Sequence, residues 1–156
     1  MIVRRGVMGA IAALVLMGAS ACGDDGPDPV SEDGRLVATA AAAPAVVNAG
    51  QSFTVELTLT NRTSSAVTIP STDGCRLGFD VRTASGAPVV TPQYVCVGPI
   101  DSLTLARGAV LRESYVYQPG STGFPRLEAG RYQLVPSVAL RDPAGVLLRP
   151  GALQVR

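Results

Sequence analysis

The chain has 156 residues, 13 basic and 12 acidic, for a net charge of +1, and every basic residue is Arg. It contains no His and no Trp, which removes Ser–His–Asp and Cys–His catalysis and the usual zinc sites. Charged residues make up only 16%, against 17 Gly and 12 Pro, a composition that argues against a coiled coil or helical bundle.

Arg4 and Arg5 open the chain, residues 7–17 are apolar, and Gly18, Ala19, Ser20 and Ala21 precede Cys22. This order is that of a secretory signal. Ala19-Ser20-Ala21-Cys22 resembles a bacterial lipobox, with Ala19 in the place usually taken by Leu. The resemblance implies cleavage after Ala21, lipidation of Cys22 and attachment to a lipid bilayer. Ordinary signal peptidase cutting the same bond is one competing reading. An uncleaved anchor is another, since residues 6–22 are free of charge and reach the lower edge of a ~17–25 residue span. Residues 23–34 hold five acidic side chains, no basic ones, two Pro and three Gly. Such a segment has too little apolar surface to fold and reads as a solvated tether. The spacing of Asp24, Asp25, Asp28, Glu32 and Asp33 does not match an EF-hand loop, and no metal site is assigned. Gly23 rather than Asp after the lipobox Cys implies, by the same resemblance, outer-membrane placement in a diderm cell.

The expected organisation is therefore a signal over residues 1–21, a lipidated Cys and acidic linker over 22–34, and a domain over 35–156. The last segment carries 11 Arg against 7 acidic residues, +4. These Arg are scattered, and with the exported address this disfavours nucleic acid as a partner.

The domain reads as β throughout. Residues 35–45 are Ala-rich, but Pro44 favours an edge strand over a helix. Residues 52–61 alternate strictly, with Phe53, Val55, Leu57 and Leu59 on one face and Thr54, Glu56, Thr58 and Thr60 on the other. Residues 66–69 form a short strand ended by Pro70. Residues 75–82 alternate again, Cys75, Leu77, Phe79 and Val81 inward, Arg76, Asp80 and Arg82 outward. After a turn at residues 84–86 come strands at 89–90, 94–97, 103–105 and 110–118. Residues 119–125 form a loop, 131–140 a strand, 142–145 a turn and 152–155 the last strand. Strands of this length between Gly/Pro turns predict an all-β fold, an antiparallel sandwich of about seven to eight strands.

Residues 57–69 (LTLTNRTSSAVTI) and 79–89 (FDVRTASGAPV), with Leu105-Ala106-Arg107-Gly108 and Leu127-Glu128-Ala129-Gly130-Arg131-Tyr132, resemble an immunoglobulin-like sandwich of the bacterial intracellular proteinase inhibitor (BsuPI-like) type. The resemblance covers about 90 residues, 51–140. It implies an immunoglobulin-like fold and, as an alternative function, protease inhibition through the loop between Cys75 and Cys96. The aromatic that often follows the turn near residue 89 is replaced by Val90.

Tyr132 stands where a tyrosine corner would be, its ring in the core and its hydroxyl on upstream backbone. With Cys22 lipidated, Cys75 and Cys96 remain, in a compartment where a disulfide persists. Closing that 22-residue loop is worth roughly 3 kcal/mol in the chain-entropy model. The loops 71–74, 87–94 and 119–126 are candidate binding surfaces. Phe124, Arg126 and Tyr94 are the possible ligand contacts, with packing beneath its own loop the competing role for Phe124. Tyr115 and Tyr117 share a face with Leu111 and read as core. The seven acidic residues of the domain could include a glycosidase pair, but Glu56 and Glu113 fall inside alternating strands and read as solvent-facing, so no catalytic residue and no cofactor is expected. The expectation is a non-catalytic interaction module of the bacterial cell envelope, with an unknown envelope protein or glycan as partner.

Overall fold

The computed structural model describes residues 34–70, 75–92, 101–140 and 145–156. The lipobox, Cys22, the tether before Gly34, Tyr94, Cys96, the loop 71–74 and the strand expected at 94–97 lie outside the described residues. Eleven strands follow one another: β1 (Leu36–Ala43), β2 (Val46–Val47), β3 (Phe53–Asn61), β4 (Val67–Pro70), β5 (Leu77–Thr83), β6 (Pro88–Val90), β7 (Ser102–Leu105), β8 (Val110–Tyr117), β9 (Gly130–Val138), β10 (Val146–Arg149) and β11 (Gly151–Val155).

They form a sandwich. One sheet has the order β10-β1-β3-β8, the other β2-β11-β9-β5-β6, and β4 pairs with β7 in a separate ribbon. With β1, β3 and β8 on one side and β5, β9 and β11 on the other, the layout is that of strands A, B, E and C, F, G of an immunoglobulin-like sandwich. The alternation in β3 does what the sequence predicts: Phe53, Val55, Leu57 and Leu59 are buried. They join Leu77, Phe79 and Val81 of β5, Leu134 of β9, and Leu153 and Val155 of β11 in one core.

Three expectations are corrected. The strands number eleven among the described residues, not seven to eight, partly because two long strands are each broken at a proline. Proline cannot donate to a ladder, and the breaks fall at Pro44, between β1 and β2, and at Pro150, between β10 and β11. The Ala43–Pro44 peptide is cis, and here the chain leaves one sheet for the other. The sandwich is also not purely antiparallel, because β10 pairs parallel to β1 and β2 parallel to β11. Finally, the Ala-rich strand is not an edge: β1 lies between β10 and β3.

The antiparallel ladders give the domain two poles. At one, the chain enters: Gly34 N–H bonds Arg62 C=O, and the turn before β8 is tied by Asn61 N–H to Ala109 C=O, both at 3.0 Å. The opposite pole gathers the turn at 48–52, the turn at 84–87, the loop at 118–129 and the C-terminal Arg156, whose carbonyl accepts from Ala49 N–H at 2.8 Å.

Candidate functional site

The loop at the pole opposite the entry is built from beneath. Tyr117, the last residue of β8, is fully buried. Its ring stacks on Phe53 with centroids 4.8 Å apart and meets Phe124 edge-on at 5.1 Å. Its hydroxyl donates to Pro125 C=O at 2.8 Å. Above this floor, Gly120 N–H bonds Phe124 C=O at 2.7 Å and Phe124 N–H bonds Ser121 C=O at 3.0 Å. Ser121 Oγ donates to Gln118 C=O at 2.8 Å. Gly120 and Gly123 have φ of 87° and 80°, the left-handed region that side chains resist. A loop held by so many internal bonds is ordered before any ligand arrives, which lowers the entropic cost of binding.

Of the three expected contact residues, two share this loop. Arg126 is exposed on its rim and lies along Gly120, where an added Cβ would be 3.5 Å from Nε. Phe124 is half-buried against Tyr117, so its ring supports the loop rather than standing out from it. Tyr94 lies outside the described residues. Tyr132, at the start of β9, donates its hydroxyl to Glu128 C=O at 2.9 Å while its ring packs on the core. The ring lies along Gly130, where an added Cβ would meet it at an ordinary contact distance of 3.5 Å.

Sequence reasoning misplaced Glu113. Leu111, Glu113, Tyr115 and Tyr117 share the inward face of β8, so Glu113 is half-buried rather than solvent-facing. Its carboxylate accepts from Leu77 N–H at 3.2 Å and from the Tyr115 hydroxyl at 2.9 Å. That hydroxyl also lies 2.8 Å from Leu77 C=O. The charge is tolerated because these donors meet it where β8 and β5 face each other. The period-2 parity with Tyr115 was the signal that could have found it. Glu56 is exposed, on the other face of the sheet, because Leu57 and not Glu56 is the register partner of Glu113. These two carboxylates therefore do not face each other. Cys75 is half-buried just ahead of β5.

Burial pushes the Tyr117 hydroxyl up from 10.0 to about 12, and the neighbouring Tyr132 adds to the shift. A raised folded value means that the unfolded chain ionises first. Stability from this group is complete below pH 10 and is lost as pH rises towards 12. Tyr117→Phe should cost about 1–2 kcal/mol at neutral pH, from the Pro125 carbonyl left unpaired, yet flatten the alkaline arm of the stability curve. Urea unfolding across that pH range reads both effects; an unchanged alkaline slope would reject the assignment.

No family model and no curated protein matches the chain. Among solved structures it is similar to the Pseudomonas fluorescens alkylpurine DNA glycosylase AlkC bound to DNA containing an abasic site analog. The identity is 13% and the TM-score 0.50, over 78% of this chain and 30% of that one. The chain thus spans under a third of that protein's length, and the likeness is one of fold.

Proposed function

We propose that this chain is a lipid-anchored, non-catalytic binding module of the bacterial cell envelope, an immunoglobulin-like domain of the BsuPI-like type carried on an acidic tether. The observation that carries this reading is the order of the N-terminal sequence: Arg4-Arg5, an apolar run, Ala19-Ser20-Ala21-Cys22, then the acidic Gly/Pro segment 23–34. The domain's polarity supports it. The chain enters at one pole, and the pre-ordered loop bearing Arg126 stands at the other. Twelve tether residues reach at most about 40 Å, and strands of eight or nine residues add roughly 30 Å. The loop at the pole away from the chain's entry is the surface offered to an envelope protein or a glycan. In a diderm cell the anchor would sit in the outer membrane or on the periplasmic side.

The pairing of Cys75 with Cys96 belongs to the same reading.

Intact-mass analysis of the full chain purified from membranes tests the proposal. The expected mass lacks residues 1–21, carries acyl chains on Cys22, and gains no alkyl group at Cys75 or Cys96 without reductant. Cys22→Ser should lose the acyl mass and leave the membrane fraction. Equal acylation of both forms would refute the anchor, and alkylation of both remaining thiols would refute the disulfide. Inhibition of serine proteases by the purified chain would instead favour the inhibitor reading.

A further inference from the structure

β8 ends the four-stranded sheet, so among the described residues one of its edges is unpaired. The backbone groups on that edge follow from the ladder with β3. Asn61 N–H bonds Ala109 C=O, and antiparallel pairs alternate between bonded and non-bonded. Stepping by two makes Leu59–Leu111, Leu57–Glu113, Val55–Tyr115 and Phe53–Tyr117 the bonded pairs. The N–H and C=O groups of Val110, Arg112, Ser114 and Val116 therefore point away from β3, to the open edge. The same four residues are exposed. Val110 and Val116, at 43% and 63% exposure, are among the few large apolar residues left in water.

We propose that this edge of β8 takes up an extended segment of a partner protein as an added strand, with an acidic side chain opposite Arg112 and β-branched side chains opposite Val110 and Val116. This deepens the binding-module reading and rests on it. Main-chain hydrogen bonds would supply affinity and the side chains specificity. The charge choice follows from Arg112, which makes no ion pair among the described residues, on a domain of net +4. A second copy of the chain is a poor occupant. The two-fold register that lays Val110 on the other copy's Val116 also sets the two Glu113 side chains opposite each other, and like charges so placed are destabilising. An inward-pointing charge on an edge strand is a known guard against self-pairing.

The test uses the full chain and the peptide Ac-VTTTETV-NH2, whose antiparallel register places its Glu opposite Arg112. Amide chemical shifts should move along residues 110–117. Ac-VTTTKTV-NH2 should bind about tenfold more weakly. Ser114→Pro should abolish binding while the fold survives, because the lost N–H faces outward. Shifts elsewhere, equal binding of the two peptides, no binding, or dimerisation through β8 would each overturn the proposal. Affinity capture from envelope extract separates the two claims. A partner held equally by wild type and Ser114→Pro refutes the edge and leaves the module; no partner on either refutes the module itself.

Discussion

Replacing Asn61 by Asp should lower the stability of the domain by about 3–5 kcal/mol at neutral pH, although the two side chains have the same shape. Among the described residues Asn61 is the only buried polar side chain, with no exposed surface. Its amide Nδ2 donates to two carbonyls, Ser65 and Leu105, each at 2.9 Å. Its Oδ1 accepts from Thr63 N–H at 2.9 Å and Thr63 Oγ at 2.7 Å. One side chain thus closes the turn after β3 and ties β7, through Leu105, to the sandwich. An Asp carboxylate would aim an oxygen at both carbonyls in a place water does not reach. Its protonated form is favoured there, so the folded pKa of the new carboxyl rises. The deficit is then largest well above pH 4 and shrinks as acid protonates the group, which can donate to one of the two carbonyls. Urea unfolding of both forms at pH 7 and pH 4 measures this, and an equal deficit at both would show that charge is not the cause. A loss of several kcal/mol is a large share of what a domain of this size holds, so Asn61→Asp should also expose the segment 62–66 to protease.

Asn61 marks how much a strand's periodicity can disclose. It continues the inward parity of Phe53, Val55, Leu57 and Leu59, so its position facing the core was legible from alternation alone. Its three partner residues, Thr63, Ser65 and Leu105, were not, because they come from the turn beyond and from a strand more than forty residues later. Glu113 is the opposite case. Its parity with Tyr115 and Tyr117 points inward, against the rule that carboxylates face water, and the donors of Leu77 and Tyr115 reverse that rule locally. β10 left no alternating trace. Val146-Leu147-Leu148 is a short apolar run, and its parallel register with Leu36, Val37 and Ala38 is set by tertiary packing. The pre-ordered loop was visible as Gly, Ser and Pro; that Tyr117 and Phe124 form its floor depends on where β8 ends.

Gly151→Ala should cost about 3 kcal/mol or more, at or beyond the upper end of ordinary overpacking. Gly151 opens β11 just after Pro150, where the chain passes from the sheet of β10 to that of β9. A Cβ built there would lie 2.1 Å from Ala40 O, 2.9 Å from Ala40 C and 3.2 Å from Ala41 Cα. All three are backbone atoms of β1, so no side chain can swing aside. β1 is held in register with β3 along all eight of its residues and with β10 on its other edge, so it cannot retreat without breaking a ladder. Overpacking in a core usually costs about 1–3 kcal/mol because neighbours yield; here the neighbour is strand backbone, Ala40 and Ala41, held in the ladder with β3. The glycine is required by the close approach of two sheets and not by its dihedral angles, since its φ is not in the left-handed region. Gly145→Ala is the matched control, because a Cβ there meets nothing within 4 Å, and its effect should stay within about 0.5 kcal/mol. Denaturant unfolding of the two variants side by side decides the matter. A Gly151→Ala loss below about 1 kcal/mol would mean that β1 and β11 can separate at this corner, and hydrogen exchange along β1 and β11 would then be fast in the wild type as well.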